Sequence, residues 1–285
     1  MSGTLPGIEA RIGTVHQLSA VIAAMRGIAA SRLQDAHGHL GAIRLYADTI
    51  GEAIGHALTF AGRDRDPPPD PAAGGALFIV LCAEQGFAGS FSARVLEATQ
   101  AALRRADGPT DLMLIGDRGL LVAPDYGIAP SWSAPMIAHP ARMAQLAGRI
   151  SDAVFDRVSD GRASAVTVLH AAPGGTEGYA VLHKRLVPFD YSRFPPPRTF
   201  LPPRITLPPE DLLARLVEEY VFAEISEALM LSFAAENEAR MRAMIAAHDN
   251  VEGSLERLVG QARRLRQEAI TEDIMELATG SLRAR

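Results

Sequence analysis

The feature that most constrains the fold is an apolar repeat with coiled-coil spacing at the start of the chain. Alternate steps of four and three residues from Ile8 reach Ile54 and meet an apolar or small side chain at nearly every position, Ser19 and Arg26 being the polar exceptions. Such spacing, sustained over about seven heptads, is typical of a helix that packs along its length on another helix. A helix from Ile8 to Leu58 would be about 75 Å long. It must end before the proline-rich segment 63–71.

The far end of the chain has a matching pattern. From residue 210 to residue 285 there is no proline, and Glu210 and Asp211 provide acidic side chains for a first helical turn. A second stripe then follows, made of Met241, Met244, His248, Val251, Leu255, Leu258, Ala262, Leu265 and Ala269. Because neither long helix can bury its stripe alone, we expect the helices over 8–58 and 210–282 to form an antiparallel coiled coil.

In the middle of the chain the spacing of the apolar residues is different. Apolar runs at 76–82, 112–116, 165–170 and 179–189 are typical of strands, and helical patterns cover 90–105 and 141–158. Strands separated by helices predict a mostly parallel sheet with helices on its faces. The predicted fold class is therefore an α/β insertion on a helical scaffold. The segments 1–62 and 208–285 are expected to form one coiled-coil unit, and 72–194 the α/β domain.

Composition excludes several classes of protein. The net charge of -5 argues against a dedicated nucleic-acid binder. No apolar stretch of 18 residues is free of charged side chains, so no membrane-spanning helix is predicted. The N-terminus does not resemble a secretory signal, so the cytoplasm is the expected compartment. A single cysteine, Cys82, excludes an intramolecular disulfide and a multi-cysteine metal site. The single lysine, Lys184, lies in His-Lys-Arg, so the chain has no Gly-Lys-Ser/Thr phosphate loop.

Taken alone, the residues show no active site. The turn 84–90 follows a strand and opens a helix, where α/β proteins bind phosphate, but a tight turn capped by Ser90 is the favoured interpretation. Neither a His-Glu-x-x-His zinc motif nor a Gly-x-Ser-x-Gly elbow occurs, so no metal, cofactor or catalytic residue is predicted. Asp117–Gly119 reads as a solvated turn, and the arginines at 263, 264 and 266 as a solvated helical face.

Three segments nevertheless resemble a known family. Residues 236–250 are similar to the signature E-x-x-A-R-M-x-A-M-x-x-A-x-x-N of the γ subunit of F-type ATP synthases, and 266–280 to the terminal R-Q-x-x-I-T motif of that family. Residues 8–33 resemble its N-terminal motif. The segments stand in the family's order over nearly the full length. The resemblance implies terminal helices in an antiparallel coiled coil around a Rossmann-like domain, which is the architecture that periodicity predicts.

The resemblance implies a rotor shaft that is not itself an enzyme and holds no cofactor. Its expected partners are the α and β subunits of the catalytic hexamer, the ε subunit and the membrane c-ring, and no nucleic acid. It would lie peripherally, at the cytoplasmic face of the bacterial inner membrane, and couple ion flow to ATP synthesis or hydrolysis. Two alternatives of other classes stay open: a free-standing coiled-coil scaffold, and a nucleotide-binding α/β enzyme that uses the turn after the first strand.

Matching the motifs also implies site residues. Arg266, Gln267 and Thr271, with Arg26 and Arg32 on the N-terminal helix, are expected to contact the stationary subunits. Small and apolar residues of the tip, Ala278, Gly280 and Leu282, are expected to act as a bearing.

The chain departs from the family in the turn 83–92, which keeps the acidic residue, the flanking glycines and the aromatic residue but lacks the family's arginine and cysteine. It is similar in this to a divergent bacterial branch, such as the alternative sodium type. The sequence leaves the coupled ion, proton or sodium, open.

Overall fold

A computed structural model describes residues 4–60, 74–174, 178–196 and 204–283, with side chains described as far as residue 275. Its two longest elements are helices α1, Leu5–Ala57, and α5, Pro209–Arg283. Prolines lie only in the first turn of each helix, where the absent backbone N–H costs no helical hydrogen bond. The predicted terminal helices are confirmed, and their bounds differ from the expected ones by three residues or fewer.

Between the long helices the chain forms a five-stranded sheet, in the spatial order β3-β2-β1-β4-β5. Its strands are β1 Gly75–Leu81, β2 Thr110–Ile115, β3 Trp132–Ala134, β4 Ala163–Pro173 and β5 Tyr179–Val187. The first four run parallel, and β5 pairs antiparallel with β4 along the edge. This confirms the mostly parallel sheet of the predicted fold class. The short strand β3 was not predicted.

Three shorter helices connect the strands: α2 Phe91–Leu103, α3 Asp117–Val122 and α4 Met143–Ser159. Helix α3 lies where the sequence predicts only a solvated turn, and Gly119 within it is fully packed against Cys82. A Cβ at residue 119 would lie 2.1 Å from the Cys82 Cβ, so this position requires glycine.

Each face of the sheet carries its own core. Leu77, Ile79 and Met113 point to one face, which packs on α4 and on the parts of α1 and α5 that lie within residues 29–240. Phe78, Val80 and their neighbours point to the other face, which is covered by α2 and α3 together with Ala235 and Ala239 of α5. The alternation along β1 thus divides consecutive side chains between two buried layers.

By their internal contacts the residues form two compact units. One comprises 29–240 and contains the sheet; the other comprises 1–28 and 241–285. In the smaller unit, Ile8 of α1 packs with Leu258 and Ala262 of α5, and Leu5, Ile12, Val15 and Leu265 surround them. The pairing of early α1 residues with late α5 residues is that of antiparallel helices. The segment boundaries expected from the sequence remain a prediction, because this division follows packing and not the proline-rich breaks.

Candidate functional site

The predicted contact residues near the end of α5 lie on its exposed surface. The guanidinium of Arg266 donates a hydrogen bond to the Glu9 carboxylate of α1 at 2.7 Å, and both side chains are about half exposed. Gln267 and Thr271 are also exposed, and the Thr271 hydroxyl donates to the Gln267 carbonyl one turn earlier, at 2.8 Å. Gln267 and Thr271 thus share one exposed face of α5, whereas Arg266 is directed toward α1.

A shallow depression runs along the face that carries Gln267 and Thr271. It encloses about 440 Å³ and is lined by Arg264, Gln267, Glu268, Thr271, Glu272 and Met275. The groove is open and presents two carboxylates, one guanidinium and one apolar side chain. Such a surface can contact a polar protein loop. It has none of the enclosure that small-molecule sites usually show.

The structure separates the other two predicted arginines from this group. Arg26 occupies a stripe position of α1 but is exposed. It lies 17 residues after Glu9 on the same helix, which at the usual rise places it about 26 Å along the axis from the Glu9–Arg266 pair. Arg32 is half-buried and belongs to the larger compact unit. Ala278, Gly280 and Leu282 lie outside the residues whose side chains are described.

The second polar feature is the turn between β1 and α2. Its residue Phe87 has a left-handed backbone, with φ of 62°, and a side chain that is 67% exposed. The Glu84 carboxylate accepts hydrogen bonds from the backbone N–H of Asp117 at 3.2 Å and of Met136 at 2.6 Å. Glu84 therefore ties the segments that follow β1, β2 and β3 to one another at the carboxyl edge of the sheet.

A buried ion pair of α5 holds this turn. Glu236 and Arg240 form a salt bridge one helical turn apart, and their side chains are only 4% and 6% exposed. Asn237 accepts a hydrogen bond from Arg240 Nη1 at 3.1 Å, and its own amide donates to the Phe233 carbonyl at 2.8 Å. Burial raises the pKa of the Glu236 carboxyl, whereas Arg240 and the turn N–H groups of Glu84 and Gln85 lower it less strongly.

These hydrogen bonds argue against phosphate binding by the turn 84–90. The N–H groups of Glu84 and Gln85 already donate to Glu236, both at 3.4 Å, so they are not free to bind a phosphate. The expected cap is wrong, because Ser90 makes no capping hydrogen bond through its side chain. Beside the turn lies a cavity of about 390 Å³, which Arg118 and Asp125 line with opposite charges.

A third polar group joins β5 to α5. The only lysine of the chain, Lys184, forms salt bridges with Glu224 and Glu227, whose carboxylate also accepts from Arg44 of α1 at 2.8 Å. Arg193 adds a 3.2 Å contact to Glu224. Lys184 and Arg44 together keep the pKa of Glu227 below its usual value against the opposing effect of burial. Three cations around two carboxylates fix β5 on the helices.

Sequence reasoning passed over both ion-pair groups, although Glu236 and Arg240 stood inside a quoted motif. One signal could have found them: a Glu and an Arg spaced i,i+4 in a helical segment that is otherwise small and apolar. A charged pair in such a segment is expected to be buried and to have partners.

Within the described ranges, no three His, Cys, Asp or Glu side chains are grouped so that they could hold a metal ion. Over the same ranges no helix has an apolar stretch long enough to cross a membrane.

Comparison with known proteins adds the following findings. The family model described as ATP synthase matches residues 4–282. The ATP synthase gamma chain of Frankia casuarinae is 30% identical over 99% of this chain and 98% of its own length. That of Roseiflexus sp. is 28% identical over 96% of each.

Solved structures show the same fold. A chain in the cryo-EM structure of the Euglena gracilis mitochondrial ATP synthase (OSCP/F1/c-ring, rotational state 3) superposes with a TM-score of 0.68, at 11% identity, over 100% of this chain and 95% of that one. A chain of the Tetrahymena thermophila central stalk/c-ring matches 80% of this chain and 99% of its own length, with a TM-score of 0.55 and 19% identity. Neither the scaffold nor the nucleotide-enzyme alternative is favoured by these findings.

Proposed function

Because the chain belongs to the ATP synthase γ-chain family, we propose that it is the central-stalk rotor of a bacterial F-type ATP synthase. The observation that carries the proposal is the completeness of the match. The family model covers residues 4–282, which include all of α1, the whole sheet, and α5 except its last residue. The match also covers 98% of the length of the Frankia relative.

A rotor acts through its stiffness and its contacts. Neither α1 nor α5 contains a proline beyond its first turn, so each helix keeps its hydrogen-bond ladder without interruption. The carboxylates and cations of the buried groups fix the sheet on α1 and α5 within the larger unit. Rotation of such a shaft presents a different side to each catalytic subunit in turn, and no nucleotide site on the shaft is needed. The chain is accordingly a non-catalytic component.

The partners follow from the same proposal. The α and β subunits would surround the coiled coil, and the ε subunit and the c-ring would bind near the α/β domain. The similar solved structures are of a central stalk with its c-ring and of an OSCP/F1/c-ring assembly, which supports this set of partners. The chain would be held peripherally at the cytoplasmic face of the inner membrane through the complex.

Within the rotor, Arg266, Gln267 and Thr271 are proposed to grip a loop of a stationary subunit, with Arg26 and Arg32 as further contacts. The exposure of the first three supports the proposal, because a residue that meets a partner must be accessible before assembly. The exposure of Arg26 at a stripe position also agrees with it, since the helix pair does not cover that charge. Ala278, Gly280 and Leu282 are proposed as the bearing at the tip.

The proposal is tested by changing Arg266→Ala together with Gln267→Ala in the assembled complex. We expect ATP hydrolysis to continue while ATP-driven ion uptake into vesicles falls, because the shaft is no longer gripped at a fixed angle. Arg263→Ala is the matched control, since it removes the same charge from an exposed position of the same helix. Unchanged uptake and synthesis in the double variant would refute the role of these two residues.

A further inference from the structure

A wide groove lies on the face of the sheet that carries Phe78, beside the C-terminal end of α2. It encloses about 880 Å³, which is within the range of small-molecule sites. Strands β1, β4 and β5 form its floor, and the last turn of α2 with the residues that follow it forms one wall. All of these elements belong to the compact unit 29–240. None of the described residues that line the groove belongs to the turn 84–90 or to the ion-pair groups of α5.

The groove exists because small side chains line its floor and its wall. Ala76 of β1 and Ala165 of β4 are register partners and lie side by side on the floor. Ala102 of α2 and Ala106, which follows the helix, line the wall. Phe78, two residues after Ala76 on the same face of β1, extends the floor and is almost buried. The floor is therefore apolar, and an apolar group seated on it loses contact with water.

Cations dominate the rim of the groove. Arg185 is the register partner of Thr167, and His183 lies two residues earlier on β5, so both side chains point to the same face, about 7 Å apart along the strand. Arg105 approaches from the end of α2. Among the residues that the structure describes, neither arginine side chain has a salt-bridge partner, and Asp107 is the only carboxylate that lines the groove. The rim therefore carries a net positive charge.

This arrangement complements an organic anion. Guanidinium groups bind phosphate oxygens through paired, charge-assisted hydrogen bonds, and an apolar floor beneath them suits the organic part of the same molecule. The C-terminus of α2 favours a nearby cation, which accounts for Arg105 alone, whereas Arg185 and His183 lie on a strand. We propose that the groove binds a small organic phosphate, with its phosphate at Arg105 and Arg185 and its apolar part on the floor formed by Ala76 and Ala165. This inference goes beyond the rotor function and does not depend on it.

The test is calorimetric titration of ADP into the full-length chain by itself, without Mg²⁺. ADP is the probe because it joins a diphosphate to an apolar ring system. We expect a dissociation constant below about 1 mM. Pyrophosphate lacks the apolar part and adenosine lacks the charge, so each should bind about tenfold more weakly or worse. A chain that does not bind ADP, or that binds pyrophosphate equally well, would overturn the proposal.

Two double variants test the charges. Arg105→Gln with Arg185→Gln should weaken ADP binding by about tenfold or more, because both charge-assisted contacts to the phosphate are lost. Arg104→Gln with Arg215→Gln is the matched control, since it makes the same change of net charge at exposed arginines that do not line the groove. An equal loss in both double variants would show attraction by net charge alone and would overturn the site.

Filling the groove tests its shape while every charge is kept. Ala165→Leu should weaken ADP binding by about tenfold or more, because the leucine occupies the floor; should that variant not fold, Ala102→Leu fills the groove from the wall. The ring signals of His183, assigned with His183→Gln, should shift on addition of ADP, whereas those of the buried His170 should not. Unchanged affinity in the leucine variant would overturn the proposal. So would an arginine double variant that binds ADP normally but no longer binds a subunit of the complex, because the groove would then be a protein contact.

Discussion

His170 gives the sharpest quantitative prediction. It lies on β4 with 2% of its surface exposed, and its Nδ1 is 3.1 Å from the Ala171 carbonyl oxygen. Burial lowers the pKa of His170 to about 4; the Ala171 carbonyl and Glu227 oppose this shift, and the neighbouring Lys184 and His183 side chains strengthen it. The folded state therefore favours the neutral form of the His170 imidazole over the protonated form.

The sign and size of the effect follow from linkage. Because the folded pKa is below the unfolded value of about 6.5, the stability linked to His170 is complete above pH 6.5 and is lost as the pH falls toward 4. Between pH 8 and pH 5, a group with these two values lowers the free energy of unfolding by about 2 kcal/mol. The complete loss, below both values, would be about 3 kcal/mol.

The measurement is denaturant unfolding of wild-type and His170→Gln chains at pH 8 and pH 5. Glutamine cannot titrate, so the wild-type chain should lose about 2 kcal/mol more than the variant over this interval. Leu182→Gln, at the register partner of His170 on β5, introduces the same amide and keeps the imidazole, so it should retain the wild-type pH slope. Equal pH slopes for wild type and His170→Gln would refute the reasoning.

Two further predictions concern packing, and both are read from denaturant unfolding. Gly119→Ala should lower the free energy of unfolding by at least about 2 kcal/mol, because the added Cβ would overlap Cys82. Gly148→Ala is the control: nothing lies near its Cβ, so it should raise the free energy of unfolding by about 0.5–1 kcal/mol. Equal effects of the two substitutions would contradict the packing described. Phe233→Ala should cost about 3–5 kcal/mol, since the ring of this α5 residue is buried in the core that α5 shares with the sheet. Leu45→Ala, at a residue that is 68% exposed, should change the free energy of unfolding by less than about 0.5 kcal/mol. A similar loss of stability in Phe233→Ala and Leu45→Ala would refute the core assignment.

Periodicity was sufficient for the long helices and for four of the five strands. The stripe from Ile8 to Ile54 predicts a continuous buried face, and every stripe residue except Arg26 is buried or half-buried in the structure. The strand from 165 to 170 was recognised from its apolar run and extends further in both directions. Patterns of this kind report burial on one face, which is why they locate elements more reliably than their ends.

What the sequence did not reveal depends on contacts between distant residues. Strand β3 has only three residues, too few for an alternation to be visible, and it forms because β2 offers a free edge. The bonds between Arg240 and the turn join residues about 150 positions apart, and half of the bonding groups are backbone atoms that carry no sequence signal. The contact residues of α5 came from a motif, and their exposure does not by itself identify their partner.

The central claim, that this chain is a rotor, is tested most directly by observing rotation. A cysteine introduced in place of the exposed Asp107 would carry a bead, while the native Cys82 stays buried. The chain is then assembled with the α and β subunits of the same organism, which are fixed to a surface. We predict unidirectional rotation of the bead that requires ATP. A complex that contains the chain and hydrolyses ATP while the bead does not rotate would contradict it.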